Sequence, residues 1–484
     1  MDRPLRASIV LALSALVLIG LLLRLHVAWE RNHASAEDLA ARLVGDETNY
    51  DGLARALLAG GHVARSCQLK PIGYASLDRA LEQGAFRWPG RVPVYPTFIA
   101  ATYAALGECS PSRLLYIQAV VGVTAVPLTY LLGRRLLATT PALLAAGMVA
   151  FDDLLIGQTA QIYSEVLYTP LLLGALLLLL WALRTARPGS FAWAGASMAV
   201  VTLCRPTTGL IPLVLPVMLP KLWSLTLKAR VCLVYGLTMA AVIAPWTYHN
   251  WRAYHRFLPL NVSAGILWLG SPEFYHLVER DRRHLDIWAN ELNPCRNGGH
   301  DPFSIDGDRY FNRRAIQSIR EEPVVYVIYS LQKAAYFWLG NPAAEWGYMA
   351  FAWWRQWHTL RQWYPYAWPR LFNMLLAREL PLIALAALIF LVARRRVRPL
   401  LPLLVVGAYI MLIHMLTWSE LRYSGPLHPL LAIVVMAAGQ ETISRRSPSG
   451  SRQHRTVSFC SFAGPSCARR SLDSSAHAAQ QSLP

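Results

Sequence analysis

The sequence is short of charge. Asp, Glu, Lys and Arg make up only 15% of its 484 residues, against 55% hydrophobic residues. A soluble domain carries about 25% charged residues, so a soluble globular protein is excluded. It also lacks the compact signatures of soluble catalysis. There is no phosphate-binding loop ending in Gly-Lys-Ser/Thr, no HExxH helix and no GxSxG elbow. The 7 cysteines contain no CxxC pair or other zinc spacing. Internal repeats of the kind that build many transporters are missing. Acids are scarcer than bases, 28 against 46. The resulting charge of +18 looks like a nucleic-acid signal, but its placement argues otherwise. The basic residues cluster in short loops between apolar runs, as the positive-inside rule predicts for a membrane protein, and nucleic acid is not an expected partner.

What is present is a series of apolar runs of bilayer-spanning length, together with 17 Trp and 21 Tyr suited to interfacial belts. Residues 8–28 form a first span, without a small-residue cleavage site, and read as a retained helix. Residues 113–132 cross inward to Arg134 and Arg135, and the run from Pro141 crosses outward to Asp152 and Asp153. Residues 165–183 return to Arg184 and Arg187. Two shorter runs meet at Arg205-Pro206, and 231–246 cross outward again. Residues 380–393 cross inward to Arg394–Arg396, 399–417 cross out to Glu420, Arg422 and Tyr423, and 425–439 return to Arg445 and Arg446. This assignment puts each basic cluster on one side and Asp46, Glu47, Asp152 and Asp153 on the other. The expected organisation is a transmembrane domain over 1–440, including a first outer loop at 29–112 and a larger one at 248–322, then a disordered cytoplasmic tail at 441–484. Within 323–378 either no crossing or two crossings satisfy the balance. Cys67 and Cys109 are candidates for pairing on the outer side.

The stretch Gly45–Gly61 stands out in the first outer loop. Asp46 and Glu47 open a run in which Tyr50, Leu53, Ala54, Leu57 and Leu58 share one helical face. Asp46 sits near a helix N-terminus, where an acid is favoured. This reads either as an amphipathic helix on the membrane surface or as the acid of a reactive site. Carboxylates at a membrane face activate a hydroxyl as general base or position a divalent cation. Arginines at the same face hold a phosphate through bidentate bonds. Charged residues in or beside spans are functional candidates by default, which adds Glu165, Arg205, Glu420 and Arg422, with Tyr423 beside them. Each has a structural alternative: Glu165 paired inside the bundle, Arg422-Tyr423 as an interfacial anchor. His414 reads as hydrogen-bonded packing, Trp353, Trp354 and Trp357 as an aromatic belt, and Asp152-Asp153 as solvated helix-end acids.

The order of these motifs resembles the family 39-type GT-C glycosyltransferases, which include protein O-mannosyltransferases and the bacterial aminoarabinose transferase. Asp46-Glu47-Thr-Asn-Tyr50 through Leu57-Leu58 and Pro93-Val-Tyr95-Pro96 carry the start of the likeness. Gly133-Arg134-Arg135, Ser164-Glu165 and Leu203-Cys-Arg205-Pro206 continue it. Ala244-Pro245-Trp246 with Asn250, and Glu420-Leu-Arg422-Tyr423 with Pro426 and Pro429, complete it. The resemblance covers most of residues 8–440 and implies an all-α polytopic GT-C bundle of roughly 10–13 transmembrane helices with an extracytoplasmic site. It implies transfer of a sugar from a polyprenyl-phosphate donor to a lipid, glycan or protein acceptor, with inversion, in the bacterial inner membrane. Asp46 becomes the general base, Glu47 its support and Tyr50 part of the substrate site; Arg205 or Arg422 becomes the donor-phosphate contact. It leaves a divalent cation open as a cofactor. Two departures are visible: His249 stands where the family carries Arg, and Asp152-Asp153 stand where it carries prolines. The alternative from another class is a transporter or a flippase for lipid-linked sugars.

Overall fold

The computed structural model of the protein describes residues 3–35, 38–43, 45–58, 89–277, 298–340 and 367–446. Among these residues every regular element is helical. The expectation of an all-α polytopic membrane protein is borne out. Cys67, the Trp353–Trp357 cluster and the tail beyond Arg446 lie outside the described residues.

α1 (Arg3–His33) is the first span, and α2 (Asp46–Leu58) follows in the outer segment. α3 (Val94–Leu106) starts at Pro93, whose fixed φ suits a helix start, and stops at Gly107 with φ +70°. α4 (Pro111–Val123) and α5 (Ala125–Arg134) run nearly end to end, with Ser110 capping the first of them. α6 (Thr139–Ala150) and the short α7 (Asp153–Gln158) precede α8 (Glu165–Thr185). α9 (Pro188–Cys204) and α10 (Ile211–Met218) are separated by the extended backbone of Arg205 and a short 3-10 turn. α11 (Leu225–Tyr254) is longer than expected: the helix carries on through His249 and Asn250 to an αL cap at His255, although the sequence suggests a loop from 248. The tight helices α12 (Ile266–Leu269) and α13 (Pro272–Tyr275), then α14 (Ile305–Glu321), build the large outer segment. α15 (Pro323–Leu339), α16 (Ala367–Ala393), α17 (Leu401–Leu416), a 3-10 segment (Leu421–Leu427) and α18 (His428–Arg446) end the described chain.

Six stretches among the described residues are long and apolar enough to span a bilayer: Ala7–His33, Pro111–Arg134, Glu165–Thr185, Leu225–Tyr254, Arg398–Leu416 and Leu421–Ser444. Four shorter apolar helices, including α3, α6 and α9, accompany them. α2 does not lie on the bundle surface. Its Asn49, Tyr50, Gly52, Leu53 and Ala54 are buried, and Tyr103 of α3 donates to Asp51 at 2.6 Å. The amphipathic spacing thus packs the helix into the protein rather than onto lipid.

The opposite end of the bundle is basic, as the charge pattern requires. Arg184 donates to the Arg135 carbonyl, the Ala138 amide donates to Gln440 at 2.9 Å, and Arg396 lies 3.5 Å from Glu441. One charge inside the first span is satisfied without a carboxylate. Arg24 is fully buried and donates to the carbonyls of Gly20, Val149 and Ala150 at 3.0–3.4 Å. The last two are C-terminal carbonyls of α6 that the helix itself leaves open.

Lipid offers little hydrophobic drive for helices to associate, so close backbone approach matters more. One such approach is where α9 crosses α11. A Cβ added at Gly195 would lie 2.4 Å from the Tyr235 carbonyl oxygen. Gly195→Ala is therefore expected to cost about 1–3 kcal/mol through overpacking. Thermal unfolding of the detergent-purified protein should show the loss, and Gly195→Leu should abolish recovery of monodisperse protein.

Candidate active site

At the end of the bundle away from the basic cluster, carboxylates and guanidiniums from distant parts of the chain converge. The hub is Asp46, the first residue of α2. One of its oxygens accepts from Arg91, just ahead of α3. The other accepts from Arg422 at 2.9 Å. The link between Asp46 and Arg422 spans 376 positions of sequence.

Arg422 is the most connected group. Its Nε donates to Glu420 at 2.6 Å, its Nη2 also reaches the Tyr423 hydroxyl at 3.3 Å, and it lies 3.9 Å from Glu165. Its guanidinium sits 4.3 Å from the Tyr163 ring centre, a cation–π distance. Beside it, Arg205 leaves α9 in extended backbone and lies 2.6 Å from Glu165, a close ion pair off the hydrogen-bonding line. Its other face covers Tyr423 at 4.4 Å. Arg91 lies 5.0 Å from the Tyr50 ring centre, and its buried Nε has no hydrogen-bond partner.

Burial disfavours the charged form of Asp46, but Arg91 and Arg422 outweigh it and hold the carboxyl well below the usual carboxylate range. In this arrangement Asp46 is ionised and weakly basic. Most of the carboxylate oxygens are engaged. Glu47 accepts from Arg31 at 2.9 Å and from the Ile162 amide at 3.2 Å. Glu420 accepts from Trp418 as well as from Arg422, and Glu165 from Ser164 at 3.2 Å. Among the described residues no group of three or more His, Cys, Asp and Glu is placed to hold a metal ion. What this site offers a ligand is guanidinium N–H groups and aromatic faces, which suit a phosphate.

Residues 90–249 match a family model described as dolichyl-phosphate-mannose-protein mannosyltransferase. No curated protein sequence matches the chain. Among solved structures, it superposes on the oligosaccharyltransferase AglB from Archaeoglobus fulgidus, in complex with an inhibitory peptide and a dolichol-phosphate, with a TM-score of 0.54 at 15% identity. The match takes in 92% of this chain and 51% of that one. The fold is that of the GT-C membrane glycosyltransferases. The Archaeoglobus fulgidus oligosaccharyltransferase tethered with an acceptor peptide containing the NVT sequon gives a TM-score of 0.52 at 15% identity, covering 91% of this chain and 50% of that one. The chain thus spans about half the length of these structures.

The GT-C bundle brings Asp46, Glu165, Arg205, Glu420, Arg422 and Tyr423 into one network, and Tyr50 joins through Arg91. Glu47 takes a different post: it is turned toward Arg31 of α1 and the chain before α8, buried to 2% exposure. Arg91 and Tyr163 were missed as candidates. Arg91 had one signal, a lone charge in Trp88-Pro-Gly-Arg-Val-Pro on the outer side; Tyr163 had none. Asp152 corrects the reading of a solvated helix-end acid. It is buried to 7% exposure, caps α7 through the Leu155 amide at 2.9 Å and accepts from His428 at 2.7 Å. His414 is packing, as read, stacked on Tyr423 at 4.5 Å and bonded to the Trp418 carbonyl at 3.1 Å. His249 stacks on Trp246 at 5.0 Å. Cys109 is disulfide-bonded, while Cys204 and Cys232 are free thiols; a pairing that involves Cys67 falls outside the described residues.

Glu47 therefore has a mainly structural post. Glu47→Ala strands Arg31 and the Ile162 amide and is expected to cost about 1–3 kcal/mol. Arg31→Ala, which leaves the Ile162 bond, should cost less in the same thermal unfolding measurement.

Proposed function

We propose that this protein transfers a sugar from a polyprenyl-phosphate donor to a hydroxyl of an extracytoplasmic lipid, glycan or protein acceptor, with inversion, in the bacterial cytoplasmic membrane. The observation that carries the proposal is Asp46 held between Arg91 and Arg422, with Arg205 beside them, at the end of the bundle remote from the basic cluster. The matched family model and the superposed oligosaccharyltransferase structure, whose complex holds a dolichol-phosphate, support the donor class.

The chemistry follows from the charges. The carrier's phosphate, its tail in the bilayer, meets the guanidiniums of Arg422 and Arg205 or the unpartnered Nε of Arg91. Each guanidinium that turns to phosphate loosens its hold on Asp46 and raises the basicity of that carboxylate. The acceptor oxygen attacks the anomeric carbon, the bond from that carbon to the phosphate oxygen breaks, and the carrier phosphate leaves with the electron pair. Asp46 takes the acceptor's proton. Charge developing on the leaving phosphate is stabilised by arginines already in place. In this mechanism the guanidiniums supply the positive charge.

The test is transfer in membranes supplied with radiolabelled polyprenyl-phosphate sugars. Asp46→Asn should lower transfer by about 10²–10⁴-fold, the usual worth of a general base. If it transfers label at the native rate, Asp46 is not the base. Movement of the labelled lipid across the bilayer without transfer would instead establish a flippase. Chelation with EDTA is expected to leave the rate within about twofold, and a larger loss reversed by added divalent ion would put a cation into the site.

The pH profile gives a further test. Asp46 is depressed in the free enzyme, so it stays ionised as pH falls, and kcat/KM should show no acid limb from it down to about pH 4. In the donor complex its pKa moves back up toward the usual value of about 3.9. The acid limb of kcat should therefore lie at higher pH than that of kcat/KM, which reports the free enzyme.

A further inference from the structure

Arg422 lies on a 3-10 segment, an arrangement with few internal constraints of its own. Its guanidinium nevertheless meets Asp46, Glu420 and Tyr163 in defined geometry. Something outside the segment must hold its backbone. Two of the contacts that do so, one at each end, come from the six-residue helix α7 and the residue before it.

At the start of the segment, the Gln158 side chain, at the end of α7, donates to the Arg422 carbonyl at 2.8 Å. Gln158 is buried to 3% exposure and lies flat against Gly425, where an added Cβ would sit 2.6 Å from the Gln158 amide nitrogen. At the far end, His428 is fully buried and opens α18. Its Nδ1 donates to Asp152 Oδ2 at 2.7 Å, while Asp152 Oδ1 accepts from the Leu155 amide of α7 at 2.9 Å. Between the two anchors, Ser424 donates to the Leu421 carbonyl at 2.8 Å and lies 3.4 Å from His428 Nε2. Asp, His and Ser thus stand in line, but Ser424 and His428 are completely enclosed, so the trio cannot meet a substrate. Its reach is mechanical.

We infer that Gln158, Asp152 and His428 are positioning residues: α7 is a brace that clamps both ends of the Leu421–Leu427 segment and thereby aims Arg422 at the donor phosphate. The inference rests on the function proposed above and adds the residues that set the cation's place. A displacement of the order of 1 Å at a positioned group costs about 10²-fold in rate. The backbone hydrogen bond from Gln158 therefore bears on turnover as well as on folding.

The experiment is a double-mutant cycle of Gln158→Leu with Arg422→Lys in the full-length protein. Two readouts are used: transfer from radiolabelled donor, and affinity for a fluorescent polyprenyl phosphate, which needs no acceptor. On the native background Gln158→Leu should lower transfer by about 10–100-fold and weaken the lipid phosphate, with membrane level close to native and only the modest loss of thermal stability expected for one stranded carbonyl. On the Arg422→Lys background the same change should cost under about threefold. His428→Asn, whose amide can still donate to Asp152, should retain most of the transfer that His428→Leu loses. If Gln158→Leu does not fold, Gly425→Ala presses on the Gln158 side chain from the other side and should give the same non-additive loss. Equal losses on both backgrounds, or none on the native one, overturn the brace. If the native protein itself neither transfers label nor binds the lipid phosphate, the proposed function fails, and the inference falls with it.

Discussion

Charges in a membrane protein are tolerated only when they are paired or wetted, and the end of this molecule remote from the basic cluster is arranged around that constraint. Asp46, Glu165 and Glu420 face Arg91, Arg205 and Arg422, so the network is formally neutral. Removing any one member leaves an uncompensated charge in poorly hydrated surroundings, which costs far more than the pair itself contributes. Because its members come from the first outer loop, the starts of α3 and α8, the end of α9 and the approach to α18, the network also ties these segments to one another. The reactive site and the closure of the fold at this end depend on the same contacts.

The network has its positive charge in place before any ligand arrives, which is the condition for electrostatic stabilisation without reorganisation. It also restrains its own acid. Asp46 between two guanidiniums is ionised but weakly basic, and on the function proposed above proton abstraction is coupled to phosphate occupancy. A site that activates its base only when the donor is bound is protected against deprotonating the wrong hydroxyl. Arg31 holds Glu47 away from those guanidiniums, while Glu420, steadied by Trp418, itself pairs with Arg422.

Helix ends carry much of the positioning. Arg205 projects at the point where α9 gives way to extended backbone before Pro206. Asp46 opens α2 after Gly45, whose φ of +56° turns the chain into the helix. Arg24 gathers carbonyls that α6 leaves open. In each case the groups that a helix terminus cannot satisfy itself, or the sharp change of direction there, create a place for a charged side chain in otherwise apolar surroundings.

The sequence by itself determined the class of molecule, the sidedness of its charge and most of the candidate site. Scarce charge and long apolar runs admit only a helical membrane protein, and an unpaired Glu165 or Arg205 beside a span demands an explanation wherever it packs. Order along the chain was enough to relate Asp46, Arg205 and Arg422 to one another. Tertiary structure alone decided the partnerships. That Asp46 chooses Arg91 and Arg422, that Glu47 turns away to Arg31, and that Asp152 is a buried anchor for His428 are pairings across tens to hundreds of residues. They depend on how helices cross, at close approaches such as Gly195 on Tyr235, and no local periodicity encodes them. The run of α11 past His249 was hidden for a related reason. Its polar last turns read as loop from composition, yet Asn250 holds the carbonyls of Leu258 and Leu260 at 2.9 Å, and that returning chain covers the helix end.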